Sequence, residues 1–209
     1  NERLLRLLAE TQIPKVFLDT SSLVAPDELN GDLLLMESRT SVRRITCHLL
    51  EQGRTLPGFI GDISYAQSNR ERYEGFCQAL ADAGKKVDSS LCLTTPLGID
   101  TYREEIDTFL SSLSRMPDAF VCASDYVACI LMQLLEKRGL RVPEDVAVSG
   151  FDNNTEDLLA EHLTTVQVFN EELGARLALQ ILYRIKYPNT PHEITYLGTN
   201  VLYRDSTGD

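Results

Sequence analysis

The sequence lacks most of the features that assign a protein at a glance. No run of about eighteen apolar residues occurs in its 209 residues, so no segment is built to span a bilayer as a helix. Its five cysteines, at 47, 77, 92, 122 and 129, are an odd number without C-x-x-C spacing. That pattern argues against a disulfide framework or a zinc site and fits small buried hydrophobes in a reducing compartment. The three histidines, His48, His162 and His192, are far apart and none has metal-ligand spacing. There is no G-x-G-x-x-G, no G-x-x-x-x-G-K-[ST] and no G-x-S-x-G, so no cofactor and no catalytic residue is proposed by motif. Positive charge is scarce too: 20 Lys and Arg stand against 31 Asp and Glu, a net charge of −11. A surface made to hold phosphate backbones would cluster basic residues instead. The opening "NERLLRLLAETQ" reads as an amphipathic helix and lacks the basic start and cleavage site of a signal peptide. Cytoplasm is the expected location.

What is present is ordinary globular material, 43% hydrophobic and 24% charged. Short apolar runs alternate with helical periodicity. Helices are expected at 1–11, 40–52, 69–84, 101–114, 125–139 and 171–186. Strands are expected at 15–19, 32–37, 57–62, 91–95, 118–124, 144–152, 163–168 and 194–204. Strands of four to seven apolar residues between helices of ten or more mean βαβ units and a mainly parallel, doubly wound α/β fold. No Gly/Ser-rich linker divides the chain, so two lobes would be joined by short hinge strands. In "VACILMQLL" (127–135) eight of nine residues are apolar, which predicts a helix buried on two sides. One side faces the sheet; the other needs a second layer or a second subunit.

In open parallel sheets ligands bind beyond the carboxyl ends of the strands. Polar residues recur there: Asp19-Thr20, Asp62 with Asn69 and Arg72, Ser124-Asp125, and Asp152-Asn153-Asn154 at the end of "VSGFDNN". Carboxylates and amides beside an arginine suit a neutral polyhydroxyl ligand, whose hydroxyls both donate and accept. Each residue also has a plain structural reading. Asp125 can cap the helix it begins, Asn153 and Asn154 can serve a turn, and Arg72 can be a solvated helix charge like Arg70 and Glu71 beside it.

Several segments resemble the LacI/GalR transcription regulators: "RYEGFCQALADAG", "PDAFVCASDYVACILMQLLEKRGLRVPEDVAVSGFDN", "LTTVQVFNEELGARLALQIL" and the closing "LYRDSTG". The likeness runs from about Ile13 to Gly208, and the block 118–153 is its most specific part. It implies a periplasmic-binding-protein-like core, as in the periplasmic sugar-binding proteins: two α/β lobes closing on a sugar or nucleoside-like effector. By the resemblance Arg72 clamps ligand hydroxyls or a ring, Asp152 accepts from a hydroxyl, and Asp19 faces the cleft from the other lobe. Ser124-Asp125 stands where the family often has Asn-Asp, Asp19-Thr20 where it often has Asp-Arg, and Met36-Glu37-Ser38 where Val-Asp-Asn is frequent. Val168 replaces a frequent cleft glutamine. These departures remove polar contacts and bear on which effector binds.

The resemblance also sets expectations for organisation. Residues 1–36 and 169–191 form a partial N-terminal lobe, and 37–168 with 192–209 the C-terminal lobe. The helix-turn-helix headpiece and the first strands of the N-terminal lobe precede this chain, whose apolar edges would be exposed without them. Operator DNA is then a partner only through that headpiece, and a homodimer forms through the 125–138 helix. The leading expectation is an effector-sensing core, not an enzyme, with a solute-binding protein of a sugar transporter as the alternative. Acid/base chemistry on a glycoside by a pair such as Asp19 and Asp152 is a third reading.

Overall fold

The computed structural model describes residues 2–98, 100–154 and 161–208. In chain order the elements are α1 (Glu2–Ala9), β1 (Val16–Leu18), β2 (Asp32–Met36), α2 (Arg39–Glu51), β3 (Pro57–Ile60), α3 (Gln67–Asp82) and β4 (Cys92–Leu93). They continue with α4 (Tyr102–Ser112), β5 (Ala119–Cys122), α5 (Asp125–Lys137), β6 (Ala147–Ser149), β7 (Thr165–Gln167), α6 (Asn170–Lys186), β8 (Ile194–Leu197) and β9 (Asn200–Leu202). Two parallel sheets result. One has the order β1-β2-β8, the other β4-β3-β5-β6, and β7 pairs with β9 as a short antiparallel ribbon. Single bridges from Ser149 to Thr164 and from Asp152 to Gln167 tie that ribbon to the edge of the second sheet. The α/β, doubly wound expectation holds.

The second sheet is buried on both faces, which is why its strands are apolar without alternation. Phe59, Val121 and Ala147 point to one side, where α2 supplies Val42, Ile45 and Leu49 and α3 supplies Phe76 and Leu80. Ile60, Phe120, Cys122 and Val148 point to the other, against Ile106 and Leu110 of α4 and the apolar side of α5. Each such side chain contributes about 1.5–3 kcal/mol by leaving water. Gly75 lets α2 and α3 close up, since a Cβ there would lie 2.2 Å from the Arg39 carbonyl oxygen. The first sheet is clothed less fully. Phe17, Leu33 and Leu35 pack with Val24 and Leu29, but Leu179, Leu182 and Ile185 of α6, Ile194 of β8, and Leu4 and Leu7 of α1 are exposed.

Three expectations need correction. The second apolar side of α5 is covered within the chain: Leu131 is fully buried, and Tyr102, Phe109 and Met132 pack on the same cluster. Arg103 of α4 also donates to the Gln133 amide oxygen. The composition of this helix therefore gives no argument for a homodimer. The stretch 194–204 is not one strand: β8 pairs in parallel with β2, whereas β9 pairs with β7. Residues 194–197 thus join the first sheet, not the C-terminal lobe to which the boundary at 192 assigned them, because Leu33–Met36 offers them a complete parallel partner. Finally, only Cys122 and Cys129 are buried; Cys47, Cys77 and Cys92 are half-buried, and all five are free thiols.

The chain passes between the sheets at three places: after Met36, after Gln167 and after Leu197. The first and third are fastened together. Glu37 N–H donates to the Leu197 carbonyl at 2.7 Å, and the Thr199 hydroxyl donates to the Glu37 carbonyl at 2.8 Å. No helix among the described residues is long and apolar enough to cross a membrane.

Candidate functional site

The carboxyl ends of β1, β3, β5 and β6 bring the expected residues into one region, with α3 running through it. Arg72 is the centre. It lies on the buried stripe Ser68, Glu71, Arg72, Gly75, Phe76 and Ala79, the i, i+3, i+4, i+7 spacing of one helix face. Its guanidinium carbon sits 3.6 Å from the centre of the Phe151 ring, a cation–π stack in a desolvated setting. One terminal nitrogen donates to the Ala123 carbonyl and reaches Asn69 Oδ1 at 3.5 Å. The other lies 3.5 Å from Asp152 Oδ1. Nε is buried and has no hydrogen-bond partner. Burial lowers the pKa of Arg72, while Asp152, Asp19, Asp125 and Glu71 all act to keep its charge.

The backbone around these carboxylates is strained. Asp19, Asp152 and Asn153 have φ of 58°, 114° and 50°, in the region that side-chain-bearing residues rarely adopt. Such conformations cost roughly 1–3 kcal/mol each and collect at binding and catalytic sites. The Asp152 side chain is 43% exposed, on the open side of the arginine. Asn153 is held in place by structure: its side chain donates to Gln167 Oε1 at 2.6 Å and accepts from Arg204 at 2.8 Å. That is the turn-serving role open to it from the sequence.

The cap expected of Asp125 is supplied by Ser124. Ser124 is the N-cap of α5, and its hydroxyl accepts from Val127 N–H at 3.3 Å. One lone pair of its oxygen is thereby taken by the helix, which leaves the O–H to donate elsewhere. Asp125 is 2% exposed and lies deeper. Its Oδ1 accepts from the Thr165 hydroxyl at 2.6 Å and its Oδ2 from Asn154 N–H at 2.8 Å. Burial pushes its carboxyl up to about 6, Asp152 adds to the rise, and the two hydrogen bonds oppose it. Gly150 is obligatory here: a Cβ would stand 2.2 Å from Asp125 Oδ1. Asp62 Oδ1 serves its own turn, accepting from Ser64 N–H, the Ser64 hydroxyl and Tyr65 N–H. Asp19 also has a protein partner, the hydroxyl of Ser68 at 2.5 Å.

Sequence reasoning passed over Glu71. It is 3% exposed, not a solvated helix charge, and accepts from the Tyr196 hydroxyl at 2.8 Å. Its place four residues before Gly75 on the Arg72 stripe was the available signal. Arg204 was missed as well. The "LYRDSTG" segment is an anchor: Arg204 donates to the Leu163 carbonyl at 3.0 Å, and Ser206 donates to the Val148 carbonyl at 2.6 Å. Val168 is buried among apolar residues, and Thr20 presents a buried hydroxyl with no partner. Among the described residues no group of three metal-ligating side chains comes together.

The fold that positions these residues is shared with known proteins. A model of the periplasmic binding protein-like domain matches residues 46–207. The chain belongs to the periplasmic binding protein-like domain family. Its relatives are regulators of the LacI type, in agreement with the resemblance read from the sequence. The HTH-type transcriptional repressor PurR of Aliivibrio fischeri (strain MJ11) is 29% identical over 209 residues, covering 99% of this chain and 61% of that protein. The chain thus spans about three-fifths of that curated relative. A putative LacI-family transcriptional regulator from Sanguibacter keddieii is 26% identical with a TM-score of 0.79, over 94% of this chain and 72% of that one. The transcriptional regulator CelR in complex with cellobiose matches at 26% identity and a TM-score of 0.79, over 98% of this chain and 69% of that one.

Proposed function

We propose that this periplasmic-binding-protein-like chain is the effector-sensing core of a LacI/GalR-type regulator, which takes a small hydroxyl-bearing ligand between its two lobes. The observation that carries the reading is Arg72, a buried cation with a spare Nε donor beside the strained, half-exposed Asp152. A hydroxyl can accept from the guanidinium and donate to the carboxylate at once, which neither an anion nor an apolar group can do. Asp19, Asp125 and Asp152 around one arginine disfavour an anionic ligand. The cellobiose complex of a 26% identical regulator supports a sugar-like effector. In this reading Arg72 and Asp152 touch the ligand. Asp125 supports them from below, and Asp19 and Ser124 hold the helices that carry them.

The rest of the reading concerns the whole protein. It is a cytoplasmic, non-enzymatic regulator that forms a homodimer and reaches operator DNA through a headpiece outside this chain. The lobes are 1–36 with 169–197, and 37–168 with 198–209. An effector favours the closed arrangement only by its extra affinity for it, and that difference is the signal passed on. With its apolar surface covered within the chain, α5 no longer discriminates against the transport-receptor alternative; the regulator names of the relatives weigh against it.

A thermal-shift screen of sugars, sugar phosphates, nucleosides and purines tests the proposal. A neutral hydroxyl-bearing compound in excess over its Kd should raise Tm, by the linkage of binding to stability. The rise should vanish in Asp152→Ala and Arg72→Ala. A hit that survives both substitutions, or hits confined to sugar phosphates, would place the ligand elsewhere.

A further inference from the structure

The helix that carries Arg72 begins without a cap of its own. Its N-cap position is Ala66, which has no side-chain acceptor, yet the first amides of a helix need partners from outside it. Those partners come from the other sheet. Gln67 N–H donates to the Thr20 carbonyl at 2.7 Å, and Ser68 N–H reaches Asp19 Oδ1 at 3.4 Å. The Ser68 hydroxyl donates to Asp19 Oδ2 at 2.5 Å. The Asp19 carboxylate also meets the positive end of the α3 dipole, where an anion is stabilising.

One turn further along, a second link joins the same two bodies. Tyr196, on β8 of the first sheet, donates its hydroxyl to Glu71 Oε1 at 2.8 Å, and Gln67 Nε2 donates to that oxygen at 3.1 Å. A third contact runs from Arg70 to the Ser22 hydroxyl at 3.3 Å, and Ser22 donates to the Ser64 carbonyl at 3.2 Å. Ser22 follows β1; Ser64 and Arg70 flank the start of α3.

We infer that residues 19–22 and Tyr196 form a clasp that caps α3 across the cleft, so that closing the two sheets and ordering the first turn of the Arg72 helix are one event. Separation removes the partners of Gln67 and Ser68 and returns Glu71 to water. The turn that sets the position of Arg72 against Asp152 is then held only from its carboxyl side. Asp19 is on this account a positioning residue: it acts through α3 and not by touching the effector. The clasp needs no ligand, so it biases the empty protein toward the closed arrangement. The inference rests on the two-lobe reading only for the statement that the sheets separate.

Hydrogen exchange read by mass spectrometry on the ligand-free protein tests it without any effector. Removing a helix N-cap raises local opening by about fivefold. Asp19→Ala should therefore speed exchange at 67–70 by about that factor and leave α4 (102–112) unchanged. Asp19→Asn keeps an acceptor at the same place and should stay within about twofold of the parent. Tyr196→Phe should speed the same amides by a smaller factor. If Asp19→Ala proves unfolded, Ser68→Ala breaks the same bond from the helix side and carries the same expectation. Unchanged exchange at 67–70 in Asp19→Ala, equal acceleration in α4, or an Asp19→Asn as fast as Asp19→Ala would each overturn the clasp. A failed effector screen would leave these outcomes untouched.

Discussion

Arg184 and Arg72 lie equally deep, at 3% and 4% exposed, but differ in how their donors are used. Arg184, on α6, spends every nitrogen. Nε donates to Asp32 Oδ2 at 3.0 Å and a terminal nitrogen to Asp32 Oδ1. The carbonyls of Thr190 and Pro191 accept at 2.6 and 2.9 Å. Burial alone would raise the Asp32 carboxyl, yet hydrogen bonds from Arg184, Gln180 and the Glu193 backbone hold it below the usual range. Arg72 leaves Nε idle and holds its nearest carboxylate at 3.5 Å. A saturated buried arginine fixes a fold, here α6 against β2. An unsaturated one, kept buried at a cost, is what the proposed function takes as the donor to a ligand.

The same substitution at both places tests this difference, and it should give the largest effect. Arg184→Met strands Asp32, which is 1% exposed, and a buried charge left alone costs about 3–5 kcal/mol. Arg72→Met leaves Asp152, which water already reaches, and should change stability by only about 1 kcal/mol. Urea unfolding of the two variants measures both. Similar losses would erase the distinction.

The carboxylates divide in the same way. Asp125 titrates near 6 when folded against 3.8 as the ordinary value, so between those pH values the folded state holds more protons than the unfolded one. Its contribution to stability is therefore present below about pH 4 and falls by about 3 kcal/mol as pH rises through 6. Asp32 behaves oppositely, contributing stability at neutral pH that is lost in acid. Asp125→Asn should remove a downward slope from the parent's stability profile between pH 4 and 6. Parallel profiles for parent and variant would contradict the raised Asp125.

Smaller effects sharpen the assignment of ligand contacts. Asp152→Ala should weaken effector binding by about 1.5–3 kcal/mol, the worth of a hydrogen bond to a charged group, as read by calorimetry. Ser124→Ala should cost about 1 kcal/mol of stability through the lost α5 cap and leave effector affinity unchanged. A Ser124 variant that binds poorly but unfolds normally would return that residue to the ligand.

Much of the architecture was legible because burial on two faces writes itself as apolar runs, as in "AFVC" and "DLLLM". The chain-order alternation of those runs with helices then left little choice of fold. The site was legible in part. Arg72, Asp19, Asp125 and Asp152 do converge. Asp125 and Asp152 follow strands of one parallel sheet, whose ends point the same way. Arg72 is brought in by α3, and Asp19 comes from the other sheet. What stayed hidden depends on contacts between distant segments. Glu71 looked solvated beside two arginines, and only the approach of Tyr196 buries it. In "ITYLGTNVLYR" the break Gly198-Thr199-Asn200 is the local mark of the change of sheet, and the expectation of one strand read through it. Asp125 read as the cap of its helix, but Thr165, forty residues away, draws its carboxylate inward and Ser124 caps instead.

The three crossings between the sheets also have a mechanical meaning. A body joined to another by one strand of chain can swivel, shear and tilt, and an effector would have to suppress each of these separately. Three tethers, two of them bonded to each other through Glu37, Leu197 and Thr199, would restrain such motions in the proposed two-lobe protein. The bonded pair of crossings is then the natural place for a hinge, and the proposed effector would have fewer motions to suppress than with a single connecting strand.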